Sequence, residues 1–140
     1  MKNILITGGG GYIGTNLTKE LLNEGYNVTV IDTFWFGNYL EKHKKLKIIK
    51  KDIRNISKKD LKKIDCIMHL ASIANDPAAE LDARLTWDVN VLATYKLINL
   101  AIIQKVKKFI FASSGSVYGI KKEKKVVENL SLEPISEYNK

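Results

Sequence analysis

Residues 4–14 read ILITGGGGYIG, and the fold class follows from this segment. Its first three residues form a continuous apolar run, which is typical of a strand buried on both faces of a sheet. After the glycines, Ile13, Leu17 and Leu21 recur every four residues and predict one apolar helix face. Gly25 then stands where helices often end in a left-handed residue. The segment therefore predicts a strand, a glycine-rich turn and a helix.

The glycines of this turn fit two related patterns. Gly8, Gly11 and Gly14 give G-x-x-G-x-x-G, and Gly9, Gly11 and Gly14 give G-x-G-x-x-G. Either pattern lets a pyrophosphate approach bare backbone and presents the N–H groups of a helix N-terminus to its charge. Because a strand precedes the turn and a helix follows it, the pattern favours dinucleotide binding over an ordinary flexible glycine turn.

Short apolar runs alternate with helical stretches through the rest of the chain. The pattern predicts strands at 28–31, 46–49, 64–70 and 109–112, a loop at 33–45, a short helix opened by a capping box at 57–60, and a helical stretch at 79–104, continuous or broken once. That last stretch is apolar over a wide arc, so we expect it to be buried between layers. The prediction is one α/β domain over residues 1–140, a doubly wound parallel sheet of about five strands in the order 3-2-1-4-5.

Asp32 ends the second predicted strand, 18 residues after Gly14. A carboxylate at this position can accept both ribose hydroxyls of an adenosine and repels a 2′-phosphate. No arginine follows to offset that repulsion, so the sequence favours NAD over NADP. The alternative is an ordinary aspartate at the end of a strand.

Several motifs along the chain match one family in the same order. They are residues 7–14, Asp32, Asp52-Ile53, His69-Leu70-Ala71, Asn90, and SSGSVYG at 113–119. Together they resemble the extended short-chain dehydrogenase/reductase family, the NAD-dependent epimerases and dehydratases. The resemblance implies a Rossmann-type fold, NAD as the cofactor, a sugar nucleotide as the substrate of the full-length enzyme, and a homodimer. It also implies further strands and a substrate domain, so we expect residues 1–140 to be the NAD-binding front part, incomplete at the C-terminus.

The resemblance also implies which residues hold the cofactor. Beyond Gly8, Gly11, Gly14 and Asp32, they are Tyr12, Ile13, Thr33, Asp52, Ile53, Leu70, Ala71, Ser72, Asn90 and Ser113. Asp52 would bond the adenine amine, Ser113 would lie against the nicotinamide, and Asn90 would steady the active site. Asn90 could instead be a helix residue satisfied by a neighbour, and Ser72 could simply cap the end of a strand. His69 is expected to pack in the core rather than to act in catalysis.

Two catalytic residues are implied in the same way. Ser114 would hydrogen-bond the sugar oxygen being oxidised or reduced, and Tyr138 would be the general base. The family pattern there is Tyr-x-x-x-Lys, in which the lysine lies one helical turn on and favours the phenolate. The matching position would be 142, and Lys140 would lie on the wrong face of a helix. We therefore expect the 140-residue chain to bind NAD and to turn over little.

Two departures bear on the subfamily. Ala74 stands where some sugar-nucleotide epimerases carry a lysine, so the loop at 72–77 differs from theirs. Asn75 and Asp76 could touch substrate, or Asp76 could simply precede a helix that begins at Pro77. Gly115-Ser116 offers no carboxylate beside the active-site serine, which favours an epimerase over a dehydratase.

The composition limits the other function classes. The chain is 45% hydrophobic with a net charge of +8, but its lysines are scattered and no aromatic-interleaved basic stripe links them, so we expect no nucleic-acid partner. No apolar run is long enough for a membrane span, no signal peptide is recognisable and no metal site is predicted. The single cysteine, Cys66, fits a reducing cytoplasm. A non-catalytic NAD-binding regulatory module, or a decayed enzyme fragment, is the alternative to an enzyme.

The fifth predicted strand should also be an exposed edge. In the family, further elements cover the sheet beyond it. We therefore expect an uncovered apolar surface there, which favours association or low stability.

Overall fold

The computed structural model describes residues 2–136 and 138–139 of the chain. Its sheet has five parallel strands in the order β3-β2-β1-β4-β5, as predicted. The strands are β1 Asn3–Thr7, β2 Asn27–Asp32, β3 Leu46–Lys50, β4 Cys66–His69 and β5 Lys108–Phe111. β4 is shorter than the predicted 64–70, because Lys63 turns the chain with a φ of 64° and Asp65 bonds the backbone N–H groups of Lys2 and Asn3.

The helices follow the glycine loop and β4. Helix α1 spans Tyr12–Asn23, α2 spans Asp76–Leu81, α3 spans Ala83–Thr86 and α4 spans Thr94–Ile103. A π-helical segment, Trp87–Ala93, joins α3 to α4. Short 3₁₀ turns occupy Ile53–Asn55, Lys58–Leu61 and Gly115–Tyr118. The predicted capping residues at 57–60 do interact, since Asp60 accepts hydrogen bonds from the N–H and the Oγ–H of Ser57, but the turn that they open is 3₁₀.

The predicted helical stretch at 79–104 starts too late, and the single break that the prediction allowed lies at Asp82. In the structure it begins earlier, because Asn75 accepts the backbone N–H of Ala78 and Pro77 lies in the first turn. It then breaks at Asp82, whose extended backbone lets its side chain accept the N–H of Leu85 and start α3. Short side chains of this kind compete for backbone donors and so end one helix and begin the next.

The core lies in two layers, one on each face of the sheet. Ile4, Ile6, Val28, Val30 and Cys66 form one cluster, against which the apolar face of α1 packs. Alternate strand residues, among them Leu5, Ile31 and Ile67, point the other way. They pack against the π-helical segment and α4, which contribute Val89, Leu97 and Ala101 to this second cluster. The sheet is therefore doubly wound, as predicted.

Helix α4 is buried on one side only, and the prediction that it lies between layers is wrong. Leu97 and Ala101 are buried against the sheet, whereas Tyr95 is 67% exposed and Ile102 is 68% exposed. The reason is that, within residues 2–136 and 138–139, no second layer covers that side of the helix. Phe111 at the end of β5 is also 54% exposed, so the expected open edge of the sheet is confirmed.

His69 is a core residue, as expected. It is 1% exposed and lies between two hydroxyls, with Nδ1 hydrogen-bonded to Thr7 Oγ1 and Nε2 to Thr94 Oγ1 at 2.7 Å. Burial lowers the pKa of His69 to about 4, so the ring is neutral at pH 7. This contact joins β1, β4 and the start of α4.

Candidate functional site

The glycine loop connects β1 to α1 at the carboxyl ends of the strands. Gly8 has a φ of 74°, and a β-carbon there would lie 2.6 Å from the backbone nitrogen of Ala71. A β-carbon on Gly14 would lie 2.3 Å from the carbonyl oxygen of Gly8. These two glycines are therefore required by the close packing of the loop itself.

Gly11 is different from these two glycines. A β-carbon there would meet only the carbonyl oxygen of Gly8, at 3.4 Å, and its φ of −76° suits any residue. The fold does not require glycine at this position, which caps the N-terminus of α1. A bare backbone at the N-terminus of a 12-residue helix suits the close approach of an anionic ligand.

Asp32 ends β2 directly opposite the glycine loop. Its Oδ2 accepts the N–H of Gly10 at 2.9 Å, and its Oδ1 accepts the N–H of Phe34 at 2.7 Å. Because each carboxylate oxygen can accept more than one hydrogen bond, both oxygens can still receive a hydroxyl. The two N–H donors hold the carboxylate at the rim of a cleft.

A cleft of about 890 Å³ runs along the carboxyl ends of the strands. Every predicted cofactor-binding residue except Asn90 lines it: Gly8, Gly11, Tyr12, Ile13, Gly14, Asp32, Thr33, Asp52, Ile53, Leu70, Ala71, Ser72 and Ser113. Ligand pockets of roughly 300–1,000 Å³ are usual, and ligands of open α/β sheets bind at this end of the strands. The tertiary structure thus brings together residues that are up to about a hundred positions apart.

A smaller cavity, of about 200 Å³, adjoins the cleft between the end of β5 and the π-helical segment. Both predicted catalytic residues, Ser114 and Tyr138, line it, and Tyr138 lines the cleft as well. Ser114 Oγ accepts the N–H of Ser116 at 3.2 Å, which leaves its own hydrogen to donate. The arrangement places a hydroxyl donor and a phenol on one cavity beside the cleft.

The chain segment before Tyr138 is attached to α2. Ser136 Oγ donates a hydrogen bond to Asp76 Oδ1. Asp76 is the first residue of α2, so this hydrogen bond joins the segment before Tyr138 to the start of that helix. Lys140, to which no catalytic role was assigned, lies outside the described residues.

Asn90 lies in the π-helical segment, and its side-chain amide bonds the backbone of Ile73. The sequence left open whether Asn90 steadies the site or is satisfied by a neighbour, and the structure shows the neighbour. Ile73 follows Leu70, Ala71 and Ser72, so the bond holds the loop that borders both cavities. π-helical turns inside helices occur frequently at functional sites.

Asp52 has a partner that the sequence did not reveal. Its carboxylate accepts the backbone N–H of Arg54 at 2.8 Å and the Arg54 guanidinium at 2.7 Å. This hydrogen bond to the Arg54 side chain lowers the pKa of Asp52, so the carboxyl is ionised at neutral pH. Since Arg54 occupies both carboxylate oxygens, an adenine amine would have to share them.

The sequence also missed some residues of the two cavities. Phe34, Trp35 and Tyr39 line the same cleft as Asp32, and the sequence predicted their segment only as a loop. Trp87 lines the smaller cavity and is 54% exposed. The sequence could have indicated Trp87 through its position three residues before Asn90 on the predicted helical stretch, because residues at that spacing share a helix face.

Two classes of site are absent from the described part of the chain. Residues 2–136 and 138–139 contain no group of three or more histidine, cysteine, aspartate or glutamate side chains that could hold a metal ion. In the same residues, no helix has the length and apolarity that crossing a membrane requires.

The residues present fit NAD. The bare backbone of Gly11 at the start of α1 suits a pyrophosphate, and the carboxylate of Asp32 suits a pair of ribose hydroxyls. Ser72 and Ser113 lie further along the same cleft, towards the cavity with Ser114. An extended dinucleotide can follow this line from one end of the cleft to the other.

Known proteins resemble this chain in sequence and in structure. The UDP-glucose 4-epimerase of Lactobacillus helveticus is 33% identical over 96% of this chain and 42% of its own length. The structure of the UDP-N-acetylglucosamine 4-epimerase of Methanobrevibacter ruminantium, in complex with UDP-N-acetylmuramic acid, is 33% identical with a TM-score of 0.93, and the match covers 99% of this chain and 46% of that one. The UDP-glucuronic acid 4-epimerase of Bacillus cereus, in complex with UDP-glucuronic acid and NAD, is 35% identical with a TM-score of 0.89, over 98% of this chain and 48% of that one.

The chain therefore spans less than half the length of the relatives that it matches. The sequence model that matches it describes the NAD dependent epimerase/dehydratase family and aligns with residues 4–140. The resemblance inferred from the motifs, and the NAD dependence that it implied for the family, are both confirmed. With almost every residue aligned and the doubly wound sheet in place, the chain belongs to the NAD-dependent epimerase/dehydratase family.

Proposed function

We propose that this chain is the NAD-binding part of a sugar-nucleotide epimerase or dehydratase that acts by transient hydride transfer. The observation that carries the proposal is one continuous line of sites: the glycine loop and Asp32 lie in the cleft, and Ser114 and Tyr138 lie on the cavity that adjoins it. The cleft supplies the binding function, and the cavity supplies the groups that would act on a substrate.

The cofactor contacts follow from this arrangement. Gly11 and the start of α1 receive the pyrophosphate, Asp32 accepts the ribose hydroxyls, and Ile53 with Asp52 flanks the adenine. Leu70, Ala71 and Ser72 line the middle, and Ser113 lies towards the nicotinamide. The negative charge of Asp32 disfavours a 2′-phosphate, so NAD binds in preference to NADP.

When bound, NAD supplies reversible oxidation of a sugar carbon. In the chain itself, Ser114 donates its hydroxyl hydrogen to the sugar oxygen, which orients the carbon to be oxidised. Tyr138 takes the proton of that oxygen and later returns it. Ser114 and Tyr138 line the same cavity, which supports the proposal that they act on one oxygen.

The substrate class comes from the relatives. UDP-sugar 4-epimerases are among the proteins and structures that match this chain, one of them in complex with a UDP-sugar and NAD. We therefore propose a sugar nucleotide as substrate of the full-length enzyme, and we favour an epimerase. The proposal of a homodimer rests on the family resemblance alone. For the 140 residues alone, which span less than half of the relatives, we expect NAD binding with little or no turnover.

The binding test compares two glycine variants. In Gly11→Ala the new methyl group meets almost nothing in the fold but lies where a pyrophosphate would approach. In the control, Gly115→Ala, nothing lies within 4 Å of the new methyl group and the residue is outside the cleft. Isothermal titration calorimetry should show NAD binding by the wild-type chain and by the Gly115→Ala variant, and binding at least about tenfold weaker by Gly11→Ala at an unchanged melting temperature.

Three outcomes would count against the proposal. An absence of NAD binding by the wild-type chain would remove it. Tighter binding of NADP than of NAD would remove the role of Asp32. NAD binding without epimerisation of any UDP-sugar, even by the gene product at the length of its relatives, would favour the non-catalytic NAD-binding module.

A further inference from the structure

Phe34 adopts a backbone conformation that bulky residues avoid. Its φ is 56°, in the left-handed region, where the β-carbon of a non-glycine residue is crowded. A residue held in this conformation persists only where its surroundings determine it, and such residues cluster at functional sites.

The conformation places the backbone N–H of Phe34 against Asp32. The N–H donates to Asp32 Oδ1 at 2.7 Å, two residues back along the chain. The other carboxylate oxygen, Oδ2, accepts the N–H of Gly10 at 2.9 Å. The carboxylate is therefore held by one donor from its own loop and one from the glycine loop.

The ring of Phe34 connects these two loops. A β-carbon on Gly10 would lie 2.6 Å from Phe34 Cε1, 2.7 Å from Cδ1 and 3.1 Å from the carboxyl carbon of Asp32. The ring thus lies directly over Gly10, and it also packs against the cluster on the α1 face of the sheet. The ring of Phe34, the backbone of Gly10 and the carboxylate of Asp32 therefore pack closely together.

We propose that Phe34 is a positioning residue, which fixes the carboxylate of Asp32 for the ribose hydroxyls of NAD and prevents it from turning aside for a 2′-phosphate. The inference rests on the proposed NAD-binding function. Both carboxylate oxygens already accept a backbone donor, so a rotation of the carboxylate breaks hydrogen bonds to a charged acceptor. Loss of the Phe34 ring lets the loop that follows Asp32 move. The ratio of the affinity for NAD to the affinity for NADP then falls.

The test is a double-mutant cycle on the 140-residue chain, read by calorimetric titration with NAD and with NADP. The variants are Phe34→Ala, Asp32→Asn and the two combined. Phe36→Ala is the matched comparison, because Phe36 is in the same loop and 89% exposed, with no hydrogen bond to Asp32 among the described contacts.

We expect Phe34→Ala to weaken NAD binding by about tenfold, the loss that follows when a hydrogen bond to a charged group is no longer held in place. NADP binding should weaken less, so that the ratio of the two affinities falls. With Asp32→Asn already present, Phe34→Ala should cost less than about twofold, because the charge that it positions is gone. Any effect of Phe36→Ala should be the same with and without Asp32→Asn.

A structural role alone gives a different result. If Phe34 only supports the loop, Phe34→Ala weakens NAD binding equally in both backgrounds and leaves the NAD-to-NADP ratio unchanged, and the inference is wrong. If Phe34→Ala does not fold, Phe34→Leu replaces it, and its coupling to Asp32→Asn decides in the same way. Failure of the wild-type chain to bind NAD would overturn the proposed function and this inference together, whereas NAD binding without coupling overturns the inference alone.

Discussion

The side-chain amide of Asn90 bonds both backbone groups of Ile73. Asn90 Oδ1 accepts the Ile73 N–H at 2.8 Å, and Asn90 Nδ2 donates to the Ile73 carbonyl oxygen at 3.1 Å. Ile73 is 8% exposed, so neither group has ready access to solvent. These two hydrogen bonds replace the backbone pairing that a neighbouring strand would supply, at the point where the chain leaves the sheet after β4.

Asn90→Ala should lower the free energy of unfolding by about 2–3 kcal/mol, because it leaves two buried backbone groups without partners. The control is Asn99→Ala on α4, where the side chain is exposed and the change should stay within about 0.5 kcal/mol. Urea titrations of both variants measure the difference. Equal stability of the two variants would show that the Asn90 amide contributes nothing to holding the loop.

His69 should make the protein less stable in mild acid. Its pKa is about 4 in the folded state and 6.5 for the ordinary side chain, because burial disfavours the imidazolium. Between these values the unfolded chain binds a proton that the folded chain does not, so stability falls as the pH falls through this window. The loss should reach about 3 kcal/mol near pH 4.

His69→Asn removes this titration while keeping an amide that can bond one threonine. The free energy of unfolding of His69→Asn, measured in urea from pH 7 to pH 4, should therefore be lower at pH 7 but flatter across the window. Carboxyls with lowered pKa values, such as Asp52, lose their contribution only below this range, in both proteins. If the free energy of unfolding changed with pH by the same amount in the wild type and in His69→Asn, the loss of stability in acid would not be due to His69.

Thr18 is a buried residue whose hydroxyl makes no hydrogen bond within the described part of the chain. It is 1% exposed in α1, and Oγ1 finds no hydrogen-bond partner among the described residues. Thr18→Val replaces the hydroxyl by a methyl group of the same shape and should raise the free energy of unfolding by about 1 kcal/mol. Thr94→Val is the matched control, and it should lower stability by about 1–3 kcal/mol because the Thr94 hydroxyl bonds His69 at 2.7 Å. Thermal melts of the two variants should move in opposite directions, and a shift in the same direction would refute this.

Gly14→Ala has two opposing effects on the free energy of unfolding. Alanine favours a helix over glycine by about 1 kcal/mol, but here the new methyl group would lie 2.3 Å from the Gly8 carbonyl oxygen and 2.6 Å from the Gly9 Cα. Because both obstacles are backbone, relief requires the loop to move, and we expect a net loss of more than about 2 kcal/mol. The variant should melt well below Gly115→Ala, which has open space. A melting temperature equal to that of Gly115→Ala would mean that the loop yields easily.

Much of the site was accessible to sequence reasoning because it depends on local pattern. The strand, glycine turn and helix at 4–25 follow from apolar spacing and from the conformational freedom of glycine, and the parallel order of the sheet follows from alternation. The helical stretch at 79–104 was less accessible. Its start and its break at Asp82 depend on which backbone donors the side chains of Asn75 and Asp82 capture, and the exposure of Tyr95 depends on what packs over it.

The sequence by itself determined the fold class, the family and the positions along the chain of the residues proposed to bind NAD. These depend on residue identity at fixed spacing, which local chemistry dictates. The tertiary structure alone decided which partners Asn90 and Asp32 have, since Ile73 takes the amide of Asn90, and Phe34 with Gly10 holds Asp32. Hydrogen bonds of this kind join atoms that are distant in sequence or set by an unusual backbone angle, and only the packed sheet brings them within about 3 Å of each other.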